Sequence, residues 1–153
     1  VQSACQNNIF KYVNLISSHF KGDTHLQKIL VGVDGSEPSK KALIEAIKIA
    51  EKFEAEITVV SVFYPAPTPS AHEFSHRILE DAKAVLEYEK VKYKLVSVTS
   101  TNPSKVITDM ARDGKFDLIV IGRRGVGAAH ELVLGSVCNR VSCESPVNVL
   151  IVM

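Results

Sequence analysis

The sequence predicts a doubly wound α/β domain, a parallel sheet with helices on both faces. Short β-branched runs recur along the chain, and amphipathic helical stripes separate them. Caps, prolines and glycines fall at the junctions between the two. A strand apolar on both faces needs cover on both sides, and right-handed crossovers supply it. The chain has 153 residues, enough for one domain to bury a core without disulfides or a structural metal. Its 46% apolar and 23% charged residues exclude a disordered or membrane-embedded class. A formal net charge of +1 provides no field for wrapping nucleic acid or coating an anionic membrane, so neither is an expected partner. Any anion has to be bound locally.

The elements follow in order. Residues 1–27 are rich in Asn, Gln, Ser and His, open without methionine, and read as an N-terminal extension, helical or partly disordered. Within it Ile9, Val13, Ile16 and Phe20 recur at helical spacing and predict a short amphipathic helix that docks on the domain or on a partner. Ile29 to Val33 is a continuous buried strand, ended by Asp34-Gly35-Ser36. Asp34 or Ser36 caps the next helix, Pro38 lies in its first turn, and Ala42, Leu43, Ala46, Ile47 and Ala50 form its apolar stripe. Ile57 to Phe63 repeats the buried-strand signature, and Pro65, Pro67 and Pro69 predict an extended, non-helical connection.

A second helix is expected over Phe74 to Glu89, and Val91 to Val98 alternates as a half-exposed edge strand does. Asn102 and Pro103 open a third helix that Gly114 stops, Asp117 to Ile121 is the fourth strand, Ser136 to Ser142 begins the fourth helix, and Val147 to Val152 is the last strand. The result is a Rossmann-like three-layer sandwich over residues 28–153. Cys5, Cys138 and Cys143 are odd in number and lack zinc spacing, which with no signal peptide points to a reducing, cytoplasmic compartment. Cys138 and Cys143 are expected as buried small apolar residues. No apolar run approaches the roughly 20 residues of a spanning helix.

In a doubly wound sheet a ligand crevice lies beyond the carboxyl ends of the strands where strand order reverses, which selects Asp34, the stretch after Phe63, and Gly122 onward. Four of the eight glycines, Gly122, Gly125, Gly127 and Gly135, fall directly after the fourth strand. Glycine permits close backbone approach, and Gly135-Ser136 opens a helix whose N–H groups and dipole favour an anion. Tight turns and close packing explain lone glycines equally well. The loop is neither a P-loop nor the dinucleotide fingerprint, because no Gly-Lys-Ser/Thr follows it and no GxGxxG follows the first strand.

Gly122, two residues, Gly125, nine residues, Gly135 and Ser136 resemble the Gly-x2-Gly-x9-Gly-Ser/Thr signature of the ATP-binding branch of universal stress proteins. The likeness includes Lys28-Ile-Leu-Val-Gly-Val-Asp-Gly-Ser, Phe116-Asp-Leu-Ile-Val-Ile-Gly and Pro146-Val-Asn-Val-Leu-Ile-Val, and covers Lys28 to Met153. It implies a five-stranded parallel sheet of order 3-2-1-4-5 and a homodimer paired through the last strand. It also implies that Asp34 accepts hydrogen bonds from a nucleotide, that Gly32 and Val33 border the adenosine, and that Val62 contacts adenine. Gly122, Gly125, Gly135 and Ser136 would hold ribose and phosphate of ATP, ADP or AMP, with Mg2+ or Mn2+ carried by the phosphates rather than by protein ligands.

Asp34 equally suits a helix cap, and Arg123 and Arg124 suit either phosphate contact or solvation. His130 and Glu131 lack a metal ligand set. No dedicated base for phosphoryl transfer is evident, so the expected function is an ATP-binding, nucleotide-dependent sensor or regulator in stress response. Two other classes stay open. One is a slow ATP-hydrolysing enzyme, and the other an interaction module whose glycine loop is purely structural.

Overall fold

Parallel pairing of Val31 with Val59 on one side and Val120 on the other sets the centre of the fold. The computed structural model describes residues 26–65, 69–125 and 134–153. The expected helix over Ile9 to Phe20, together with Cys5, Pro67, Gly127, His130 and Glu131, lies outside them. Five strands, β1 (Lys28–Gly32), β2 (Glu56–Phe63), β3 (Tyr93–Thr99), β4 (Leu118–Gly122) and β5 (Asn148–Val152), form one parallel sheet in the order β3-β2-β1-β4-β5. Four helices connect them: α1 (Glu37–Phe53), α2 (Pro69–Tyr88), α3 (Pro103–Asp113) and α4 (Ser136–Glu144).

Alternation along the strands divides the core in two. Ile29, Val31, Ile57, Val59, Leu118 and Val120 pack under α1 and α2 with Ala42, Ala46, Leu79 and Leu86. Leu30, Val60, Ile119 and Ile121 face the other way, against Ile107 and Ala111 of α3 and Cys138 and Val141 of α4. The three layers predicted from the buried strand runs are therefore present. Leu26, ahead of the first strand, is only 2% exposed and belongs to the α1/α2 side of the core. Beside it, the Asp117 carboxylate accepts hydrogen bonds from the backbone N–H groups of Gln27 and Lys28, both at 2.8 Å, tying the start of β1 to the start of β4.

The caps are local chemistry. Ser36 is the N-cap of α1, its Oγ accepting from the Ser39 N–H at 3.3 Å, and Asn102 caps α3 by accepting from the Lys105 N–H at 3.1 Å. One expectation needs correction. Pro69 is not part of an extended connection: it opens α2, five residues before the expected start at Phe74, since a first-turn proline forfeits no intrahelical bond. As expected, Gly114 ends α3, at φ −81°, and the left-handed residue is Lys115 beyond it, at φ 52°, as Glu54 and Lys90 are after α1 and α2 at 56° and 57°. Glycine is needed at 114 because the Phe116 ring folds back, leaving 2.5 Å between its Cε2 and a Cβ added there.

Two stability outcomes follow. Ile119→Ala, at a fully buried position, should cost about 2–5 kcal/mol, and Gly114→Ala about 1–3 kcal/mol, by urea denaturation with unchanged slope. A neutral Gly114→Ala would mean that the Phe116 ring does not close this turn.

Candidate functional site at the parting of two central strands

β1 and β4 are neighbours through the pair Gly32–Ile121 and then part. The next free amide of β1, on Val33, donates to Val60 of β2 at 2.9 Å, whereas the Arg123 amide after β4 donates to Val152 of β5 at 2.8 Å. Each strand end is thus drawn to its outer neighbour. β1 continues into α1 on one face and β4 leads towards α4 on the other, so a crevice opens between them, as expected where strand order reverses.

The sequence-selected residues gather around this crevice. Asp34 Oδ1 accepts from the Ser36 N–H at 3.0 Å and the Ser36 hydroxyl at 2.6 Å, so the carboxylate is held while Ser36 caps α1. Its Oδ2 lies against Gly125, where an added Cβ would collide with it. Gly122 has a different reason for its missing side chain: a Cβ would stand 2.6 Å from the Pro38 carbonyl carbon and 2.8 Å from the Ser39 nitrogen, both backbone. The two ends of the glycine loop meet, because the Gly135 N–H donates to the Arg123 carbonyl at 3.0 Å and a Cβ on Gly135 would lie 3.3 Å from Arg124 Cα. Gly135 then occupies the N-cap of α4 without a side-chain acceptor, and Ser136 follows as an exposed first helical residue.

The remaining predicted residues are placed further back. Gly32 turns to the α3/α4 face, where an added Cβ would be 3.3 Å from Ile107 and from Ile121. Val62 lies on that same face, half-buried and in register with Val98 of β3. Val33 points into the opposite, α1/α2 core, so only its backbone borders the crevice. Arg123 and Arg124 are half-buried and engaged. Sequence reasoning missed Ser39. Its Oγ donates to the Ser36 carbonyl at 2.9 Å and accepts from the Asp34 N–H at 3.4 Å, closing the Asp34 turn. The serine three residues after the cap was the available signal. Among the described residues no group of three His, Cys, Asp or Glu side chains is assembled to hold a metal.

The two cysteines differ. Cys138 is 3% exposed, and burial pushes its thiol up against the opposing charge of Arg123. Cys143 is exposed, contrary to expectation, because the short α4 turns only Cys138 and Val141 to the core.

A doubly wound α/β domain with a glycine-lined crevice at its topological switch point is the class that this fold and site define. The universal stress protein family matches residues 25–153, and the chain belongs to it. A universal stress protein of Thermus aquaticus is 32% identical over 134 residues, covering 81% of this chain and 96% of the relative. A solved universal stress protein in complex with cAMP superposes with a TM-score of 0.70 at 25% identity, covering 85% of this chain and 99% of that one. Another, from Archaeoglobus fulgidus in complex with dAMP, shares the fold with a TM-score of 0.71 at 19% identity, covering 85% of this chain and 100% of that one. No helix among the described residues is long and apolar enough to cross a membrane.

The collision between position 125 and Asp34 is testable by a double-mutant cycle. Gly125→Ala should cost about 1–3 kcal/mol, and most of that cost should vanish when Asp34→Ala is already present. Additive costs would separate the two residues. Cysteine reactivity gives a second check: with Cys5→Ser, one thiol, Cys143, should react rapidly with a disulfide reagent at pH 8, and Cys138 only on unfolding. Two fast thiols would contradict the packing of α4.

Proposed function

We propose that this chain binds an adenine nucleotide, ATP foremost with ADP and AMP as alternatives, in the crevice between β1 and β4, and that it works as a nucleotide-dependent sensor or regulator in the stress response. The observation that carries the reading is the meeting of the Asp34 carboxylate with Gly125 at the point where the two strands part. One ligand that spans an acceptor and an anion cradle answers to both halves. The 25%-identical relative in complex with cAMP supports the adenine class.

The residues fit such a group. Gly135 offers no side-chain acceptor to the first-turn N–H groups of α4, so a phosphate oxygen can take that place, with Ser136 Oγ as a further donor. The helix terminus contributes about 0.3–1 kcal/mol per charge, so affinity has to be built from several such contacts. Asp34, held by Ser36, is oriented to accept from ribose hydroxyls, and Gly32 and Val62 on the α3/α4 face, with the backbone alone of Val33, would border the nucleoside. Gly122 and Gly125 keep the loop backbone close to the crevice. Mg2+ or Mn2+ would arrive on the phosphates and neutralise them there. Asp34 Oδ1 already accepts two hydrogen bonds, which suits a positioning group more than a proton acceptor in turnover. β5 is a sheet edge in the described structure, and we include a homodimer paired through it, in a cytoplasmic setting.

Nucleotide binding is checked by thermal denaturation of the full chain. At a ligand concentration about 100 times Kd the native state gains about 2.7 kcal/mol, so ATP with Mg2+ should raise Tm by about 5–10 °C. Asp34→Ala should abolish most of that rise while the unliganded protein remains folded. No shift with ATP, ADP or AMP sinks the proposal.

A further inference from the structure

The turn that carries Asp34 rests directly on α2. Gly35, at φ 85°, lies between Asp34, whose carboxylate borders the crevice, and Ser36, which caps α1. A Cβ built on Gly35 would stand 3.2 Å from Ile78 Cδ1 and Cγ1 and 3.6 Å from Phe74 Cζ. Glycine therefore serves two needs at this position, a left-handed backbone and the close approach of a helix. A second contact joins α2 to the crevice end of β2: the His72 ring meets Phe63 edge-on, with centroids 5.6 Å apart, and Phe63 is the residue after Val62.

This half of α2 is attached differently from the rest of the helix. Of residues 72–78 only Ser75 is buried, at 1% exposure, and Ile78 is half-buried on the α1/α2 side of the core. The Ser75 hydroxyl pairs with that of Ser97 on β3 at 3.0 Å, a polar attachment in place of an apolar one. Further along, Leu79, Ala82 and Leu86 enter the core. A helical segment with few buried apolar side chains opens locally at lower free energy than the segment that carries the core. A ligand that immobilises the turn beneath such a segment suppresses its opening without any change of fold.

We propose that residues 72–78 of α2 signal whether the β1/β4 crevice is occupied. A nucleotide held by Asp34 fixes the Gly35 turn, and the turn, through Ile78 and Phe74, holds this part of the helix closed. The surface that changes is that of His72, Glu73, Phe74 and His76, all exposed: it is presented in one arrangement in the liganded chain and opened intermittently in the free one. The inference rests on the nucleotide reading above and adds to it the element that responds. Coupling of this kind is reciprocal, so loosening the helix at Ile78 weakens nucleotide binding by the same factor by which the nucleotide suppresses opening.

Amide exchange of the full chain, followed by mass spectrometry with and without ATP and Mg2+, tests the coupling. With nucleotide, the amides of residues 75–79 should exchange several-fold more slowly, while the last turn of α2 at residues 87–90, at the opposite pole, keeps its rate. Ile78→Ala removes both atoms that face Gly35: the slowing at 75–79 should disappear and the Kd for ATP should rise several-fold, although Ile78 lies outside the crevice. Ile78→Val removes only the Cδ1 methyl, should give an intermediate response, and decides the matter if the alanine variant does not fold. A rise of Tm with ATP and slower exchange at residues 33–36, with 75–79 unchanged, overturns the proposal and leaves nucleotide binding standing. Full slowing at 75–79 in Ile78→Ala overturns it as well. If no adenine nucleotide raises Tm, the nucleotide reading fails and this inference falls with it.

Discussion

The contact between Gly122 and the first turn of α1 is the constraint on which the site end of the molecule depends. With Pro38 backbone atoms 2.6 and 2.7 Å from where a Cβ would stand, no other residue lets β4 end there while α1 begins there. Because α1 is pressed against β4, its cap Ser36 lies beside the crevice, and Ser36 in turn holds Asp34. The Ser36 hydroxyl also approaches the Arg124 carbonyl, at 3.4 Å. A helix cap, a strand end and a loop are thus joined through one serine. Packing and site geometry are the same set of contacts at this end of the sheet.

The two core layers make the crevice rigid on both sides. Leu30, Val31, Ile119 and Val120 are fully buried, so the ends of β1 and β4 have little freedom to close the gap between them. Ion pairs contribute little to this. Lys105–Asp109–Arg112, Lys40–Glu37 and Lys48–Glu45 all lie along solvent-facing helix surfaces, where water and salt screen the attraction. Rigidity comes from apolar burial, and the charged surface is left to vary.

Much of the fold was legible because buried parallel strands have an unmistakable composition: Ile29 to Val33, Ile57 to Phe63 and Leu118 to Ile121 admit few other readings. Strand order was reached through family resemblance, since nothing local in a strand states its neighbours. The start of α2 was misplaced because proline is compatible with both a helix's first turn and an extended linker, and only the tertiary setting of Pro69 decides. The glycine spacing announced the candidate site. The reasons for the individual glycines did not show, because Gly122 answers to Pro38 and Gly125 to Asp34, both distant in sequence. Cys143 was misjudged for a related reason: α4 has nine residues and only a narrow buried stripe, a width that composition does not reveal.

Three non-glycine residues, Glu54, Lys90 and Lys115, hold the left-handed conformation at the ends of α1, α2 and α3. All three precede strands and therefore sit at the pole of the molecule opposite the crevice. Each carries a backbone penalty of about 1 kcal/mol that glycine would not. Reserve stability is accordingly stored where no ligand contact is at stake, so the protein can be hardened at one pole without retuning the other.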